Sequence, residues 1–151
     1  MRYMPNLRSN KNGFTLIELL IVVVIIGILS ALFINTSVIS LQRGRDAKRK
    51  SDLEAIRAGI ETYRSDCNRY PLALTFGGQL VGDGSTSNCL VANTYISLVP
   101  SDPTTGLSYL YSSNGTTYEV CASLETGSGS VTCGASSTCG SGTCNYKAVN
   151  P

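Results

Sequence analysis

The chain has 151 residues, a net charge of +2, six cysteines and no histidine. That length suits one compact domain. The lack of histidine excludes imidazole-based nucleophile–base arrangements and the HExxH zinc motif, and no GxxxxGK[ST] phosphate loop occurs.

The total charge conceals a gradient. Arg2, Arg8 and Lys11 form a basic leader without acids, Arg43 to Arg69 holds eight bases against five acids, and beyond Tyr70 four acids accompany only Lys147. After the leader, which ends at Gly13, residues 14–34 read FTLIELLIVVVIIGILSALFI, with Glu18 the only charge. As a helix this run rises roughly 31 Å, enough to cross the hydrocarbon core of a bilayer, so Phe14 to Ile34 is predicted as a transmembrane segment. A cleaved secretory signal fits poorly. The run is too long, and its small residues (Gly27, Ser30, Ala31, Thr36, Ser37, Ser40) never fall two apart as a small-x-small cleavage site needs. A plain single-pass anchor fits the length and leaves Glu18 unexplained.

The stretch Gly13-Phe14-Thr15-Leu16-Ile17-Glu18 resembles the prepilin signal of type IV pilins and type II secretion pseudopilins. The resemblance implies that a membrane peptidase cuts after Gly13 on the cytoplasmic side, methylates the new amine on Phe14, and leaves the apolar helix in place. Glycine suits the cleavage position because its bare backbone can enter a protease site closely. Glu18 stands four residues after Phe14, one turn along the same face if both are helical. In a packed bundle of such helices an unpaired carboxylate costs several kcal/mol. The amine of a neighbouring helix would relieve that cost and fix the axial offset, so the resemblance implies that Glu18 is an assembly register device.

The helical pattern continues past the apolar run. Leu53, Ile56, Ile60, Tyr63 and Cys67 recur at spacings of 3, 4, 3 and 4, which makes one apolar stripe. Arg45, Lys48, Arg49 and Asp52 are read as an opposite, solvated face laced with pairs such as Asp46/Lys50. No proline interrupts residues 14–70, and Tyr70-Pro71 ends the pattern. One helix of about 55 residues is expected. Downstream, LSYLY (107–111) and TYEVCASLE (117–125) are predicted strands around an Asn114-Gly115 hairpin turn, with a third strand at Asn145 to Val149. A small antiparallel sheet packed on the helix stripe follows. Residues 45–71 and 101–125 also resemble the helix end and first hairpin of pilins and major pseudopilins. The fold class is therefore α+β and pilin-like: cleaved leader 1–13, membrane and filament-core helix 14–40, amphipathic continuation 41–70, and head 71–151. Residues 72–100 read as a surface loop, and residues 126–144 as a Gly/Ser-rich tail of low complexity.

Cys67, Cys89, Cys121, Cys133, Cys139 and Cys144 all follow the apolar run, which predicts disulfides and an oxidising, extracytoplasmic head. Six cysteines allow fifteen pairings. Cys67 with Cys89 is preferred, tying the helix end to the loop. Thiolate-only zinc is disfavoured because no CxxC occurs.

The resemblance implies a structural subunit rather than an enzyme. It would be held in the inner membrane by a single span and polymerise into a homo-oligomeric helical filament, periplasmic or extracellular once assembled. Implied partners are a prepilin peptidase, an assembly platform protein and a cytoplasmic ATPase. No cofactor is expected. Relatives in secretion systems often bind calcium in a C-terminal loop, whereas Asp83, Asp102, Glu119 and Glu125 are well separated here. That thin acid content leans to a pilin over a secretion pseudopilin. The alternative is a minor pilin that binds DNA or a surface through Arg43 to Lys50. Those bases would lie near the packed stem of a filament, so nucleic acid is not an expected partner.

Overall fold

The computed structural model describes residues 13–151, with the side chains of 32–37 outside that description. The leader up to Asn12 also lies outside the described residues. A single helix, α1, spans Leu16–Cys67. The chain divides into two units, Met1–Ile39 and Ser40–Pro151.

In the first unit every described apolar side chain from Phe14 to Leu29 is exposed, around the whole circumference of the helix. Among the described residues no helix is long and apolar enough to cross a membrane. The described side chains stop at Ala31, three residues short of the end of the predicted segment Phe14–Ile34.

In the second unit the stripe of α1 is buried as its spacing predicts: Leu53, Ile56, Ile60, Tyr63 and Cys67 all lie in the core. The strands are β1 (Leu80–Val81), β2 (Thr94–Ile96), β3 (Leu110–Ser113), β4 (Tyr118–Ala122), β5 (Thr138–Cys139), β6 (Gly142–Thr143) and β7 (Tyr146–Val149). The main sheet is antiparallel with order β3-β4-β7, and its register sets Tyr111 opposite Val120 and Val120 opposite Ala148. Tyr118, Val120 and Ala122 of the central strand pack into the same core as the helix stripe. The β3–β4 turn follows from Asn114-Gly115. The Asn114 side-chain oxygen accepts the N–H groups of Thr116 and Thr117, and Gly115 takes φ 86°, where a side chain would be strained.

The helix ends earlier than Tyr70-Pro71. Asn68 adopts φ 56° and its N–H donates to the Arg64 carbonyl at 2.9 Å, a left-handed C-terminal cap. The segment 72–100 is more than a loop, because β1 and β2 pair within it. Gly59 makes room for β2: a Cβ at that position would collide with the Ile96 side chain. The tail also carries a small hairpin, β5–β6. Two- and three-residue strands are too short to show a period in the sequence.

The largest departure concerns the basic face. Arg49 is fully buried, and Asp46 and Asp52 are nearly so. Asp46 pairs with Arg49 and not with Lys50. The reason lies in the spacing: positions 46 and 49 continue the 3-and-4 series back from Leu53, so they occupy the buried stripe and not its opposite. The Arg49 guanidinium grips Asp102 with two bonds (2.9 and 3.1 Å), and donates to Asp46 (2.8 Å), Glu125 (3.1 Å) and the Thr104 hydroxyl (2.8 Å). Asp46 in turn accepts the backbone N–H groups of Glu125 and Thr126. Tyrosines complete the polar connections between helix and head. Tyr109 donates to Asp52 (2.8 Å), Tyr118 to Glu61 (3.2 Å) and Tyr95 to Asp66 (3.0 Å).

Replacing Arg49 with leucine strands three carboxylates that depend on it. Unfolding of the head in urea, followed by tyrosine fluorescence, should show Arg49→Leu destabilised by about 3–5 kcal/mol. Arg49→Lys should fall in between, since an ammonium cannot make the two-pronged grip on Asp102.

Candidate functional site

The motif that opens α1 has a local structure of its own. Thr15 is the N-cap. The Glu18 N–H donates to the Thr15 hydroxyl (3.3 Å), while Glu18 Oε2 accepts both the Thr15 N–H (3.0 Å) and its hydroxyl (2.8 Å). This is a capping box, and its signature, Thr-x-x-Glu, stands in the sequence. Weighing Glu18 only as a membrane-embedded charge missed that role. Phe14 precedes the first helical residue and is almost fully exposed. The helical one-turn relation between Phe14 and Glu18 therefore does not hold within this chain. Among the described residues nothing lies within 4 Å of where a Cβ at Gly13 would sit.

All six cysteines are paired: Cys67 with Cys89, Cys121 with Cys133, and Cys139 with Cys144. The first pair joins the last turn of α1 to the segment after β1. Among the described residues the one cluster with metal-ligand chemistry is Cys67, Asp83 and Cys89, but its two sulfurs are bonded to each other and offer no thiolate. Each of the four acids of the head is matched to a base, and two of them, Asp102 and Glu125, meet at Arg49. Asp83 pairs with Arg69, Asp102 with Arg49, Glu119 with Lys147 (2.9 Å) and Glu125 with Arg45 (2.5 Å).

Four of the five bases of 43–50 are likewise engaged. Arg45 and Arg49 bond to Glu125, Lys48 pairs with Asp52, and Lys50 lies over the Tyr146 ring. An open depression of about 450 Å³ borders the β3–β4 turn and Asn150. Its polar groups bond to one another: Asn114 to Thr117, Ser113 to Gly115, and Glu119 to Gly134 and Lys147.

With this geometry in view, residues 8–34 match the prokaryotic N-terminal methylation motif, and residues 38–134, more than half of the chain, match the family described as type II secretion system protein G. The chain belongs to the type II secretion protein G family. Family members are structural pseudopilin subunits and not enzymes. Two similar proteins are type II secretion system core protein G of Dickeya chrysanthemi (30% identical over 64% of this chain and 65% of that protein) and of Escherichia coli K12 (31% over 63% and 68%). The type IV major pilin protein PilA of Myxococcus xanthus is 41% identical over 40% of this chain and 27% of its own length. The chain's match spans from 39% to 68% of the length of the protein G relatives. No solved structure matches it. The lean toward a pilin, drawn from thin acid content, gives way here, because the head matches the secretion family across residues 38–134.

In the head, Arg45 and then Arg49 hydrogen-bond the Glu125 carboxyl and, against the effect of burial, hold its pKa at about 2. A carboxyl depressed below its unfolded value of 4.5 contributes stability that is complete above that value and is lost as pH falls toward about 2. An acid titration of thermal midpoints should therefore show the head weakening between pH 4.5 and about 2. Glu125→Gln should flatten part of that slope. An identical slope in wild type and variant would remove Glu125 from the account.

Proposed function

We propose that the chain is a subunit of a type II secretion pseudopilus, processed after Gly13 and polymerised from the inner membrane. One observation carries this reading: the methylation motif and the protein G match follow one another in a single chain, joined by a helix whose described apolar side chains from Leu16 to Leu29 are all exposed. Such a helix has no stable place in water. Before assembly it lies in lipid, with Phe14 to Ile34 as its span, and after assembly it lies among the helices of other copies. Among the described residues none packs against Gly13, which fits a residue selected by a peptidase. The prepilin peptidase would leave N-methyl-Phe14 as the new terminus. A platform protein and a cytoplasmic ATPase would supply the work of extrusion. The head would sit outside the cytoplasm, where its three disulfides persist.

The capping box refines the role of Glu18. Both Thr15 bonds go to Oε2. Oε1 is the atom we assign to the Phe14 amine of a neighbouring subunit, a carboxylate having lone pairs for both partners. The bond to Thr15 holds the acid in a fixed direction, and the charge then selects the axial offset at which an amine meets it. A DNA-binding minor pilin is the weaker reading, because Arg45, Lys48, Arg49 and Lys50 are occupied within the head.

Two variants separate capping from register. Glu18→Gln keeps a capping-box side chain and removes the charge. Thr15→Ala removes the N-cap at about 1 kcal/mol and keeps the charge. Processed monomer in membranes and sheared filament should be measured for both, with methylation assayed separately. Glu18→Gln should be cleaved normally and yield at least roughly tenfold less filament, since a buried amine loses its counter-charge. Thr15→Ala should still assemble. Normal filament from Glu18→Gln would remove the register role.

A further inference from the structure

The three disulfides join consecutive cysteines, with separations of 22, 12 and 5 residues, and none crosses or encloses another. That is one of fifteen pairings open to six cysteines. Four of the sulfurs, from Cys121, Cys133, Cys139 and Cys144, form a buried cluster with only Leu110 and Val131 as part-buried apolar neighbours. This cluster is separate from the core of α1 and the main sheet. The tail is thus held by sulfur where the rest of the head is held by hydrocarbon and tyrosine.

We propose that this protein is matured by a thiol–disulfide oxidase acting on consecutive cysteines, and that it requires no disulfide isomerase. The proposal rests on the extracytoplasmic placement of the head given above. In each closure, one chain thiolate attacks the oxidant's disulfide and forms a mixed disulfide, releasing one oxidant thiol. The second chain thiolate then attacks the chain sulfur and releases the other. Two electrons and two protons pass from the chain to the oxidant. Delivered from its N-terminal end, the chain presents each correct partner as the next cysteine to emerge.

One competitor is close enough to matter. Cys133 and Cys139 are six residues apart, nearly the separation of Cys139 and Cys144. The local backbone decides between them. The β5–β6 hairpin sets Cys139 opposite Gly142, and the Cys144 N–H donates to the Ser137 carbonyl (2.8 Å), which brings the Cys139 and Cys144 Cα atoms to 5.2 Å. Gly140 makes the hairpin turn at φ 68°, and a Cβ there would strike the Gly106 carbonyl oxygen, on which the hairpin docks through the Ser141 N–H (2.8 Å). Cys133 is meanwhile tied back on Ser136 by two backbone bonds.

The test uses the full-length chain, reduced and unfolded, then diluted into detergent with a glutathione redox buffer, with and without protein disulfide isomerase. Non-reducing digestion and mass spectrometry map the pairs. The three consecutive pairs should predominate, and isomerase should raise their yield by less than about twofold. Gly140→Val should accumulate Cys133–Cys139 several-fold. Crossed pairs that only isomerase resolves would overturn the proposal, and unchanged pairing in Gly140→Val would overturn the hairpin's part in it. Filament formation is not read in this experiment, so the pseudopilus reading and this one fail separately.

Discussion

A single buried cation organises the head. Arg49 sits on the inward face of α1 with no access to water, and a guanidinium so placed must be surrounded by acceptors. They come from three parts of the chain: Asp46 one turn back on the helix, Asp102 and Thr104 ahead of β3, and Glu125 just after β4. All of them reach Arg49 at only one sliding position of helix against sheet. The apolar stripe from Leu53 to Cys67 supplies the driving force for packing, but an apolar stripe tolerates slippage by a turn. The ion cluster does not, because a slip leaves charges buried and unpaired. Burying Arg49 thus converts a general hydrophobic association into one register.

The acids of the head are all paired with bases. Asp102 and Glu125 meet bases of α1, Glu119 meets Lys147 of β7 and Asp83 meets Arg69 just past the helix, so that charge holds the segments around the sheet in place. At the far end of the stripe the work passes to Cys67–Cys89 and to the tyrosines that bond to Asp52, Glu61 and Asp66. In the tail, Gly and Ser leave almost nothing to bury, and the cystines take over. Ion cluster, aliphatic and tyrosine core, and sulfur cluster hold successive parts of one small domain.

Much of this was legible in the sequence. The 3-and-4 spacing of Leu53 to Cys67 marked the buried face, and Asn114-Gly115 marked the hairpin, because both signals are local and periodic. The Asp46–Arg49 pair was misread through residue type: the series runs straight through both positions, but charge suggested a solvated face, and only the acceptors at Asp102 and Glu125, more than 50 residues away, make burial affordable. Asn68 ended the helix ahead of the more conspicuous Tyr70-Pro71. The capping box at Thr15 and Glu18 stood in plain view, but it was overshadowed by the larger question of why an acid opens an apolar run. Strands β1, β2, β5 and β6 were invisible because pairs of two or three residues depend on partners the local sequence does not specify.

We propose a chain kept in the membrane as a processed helix, around which other copies later replace lipid, and not a plain anchored protein. The measurement that reaches it most directly is the intact mass, with N-terminal fragmentation, of the full-length protein expressed with a prepilin peptidase and extracted from membranes. The expected mass is that of residues 14 to 151 with one methyl group on the Phe14 amine and all six cysteines oxidised. A chain retaining its leader in the presence of active peptidase, or one cut near Ala31 or Ser37, would contradict it.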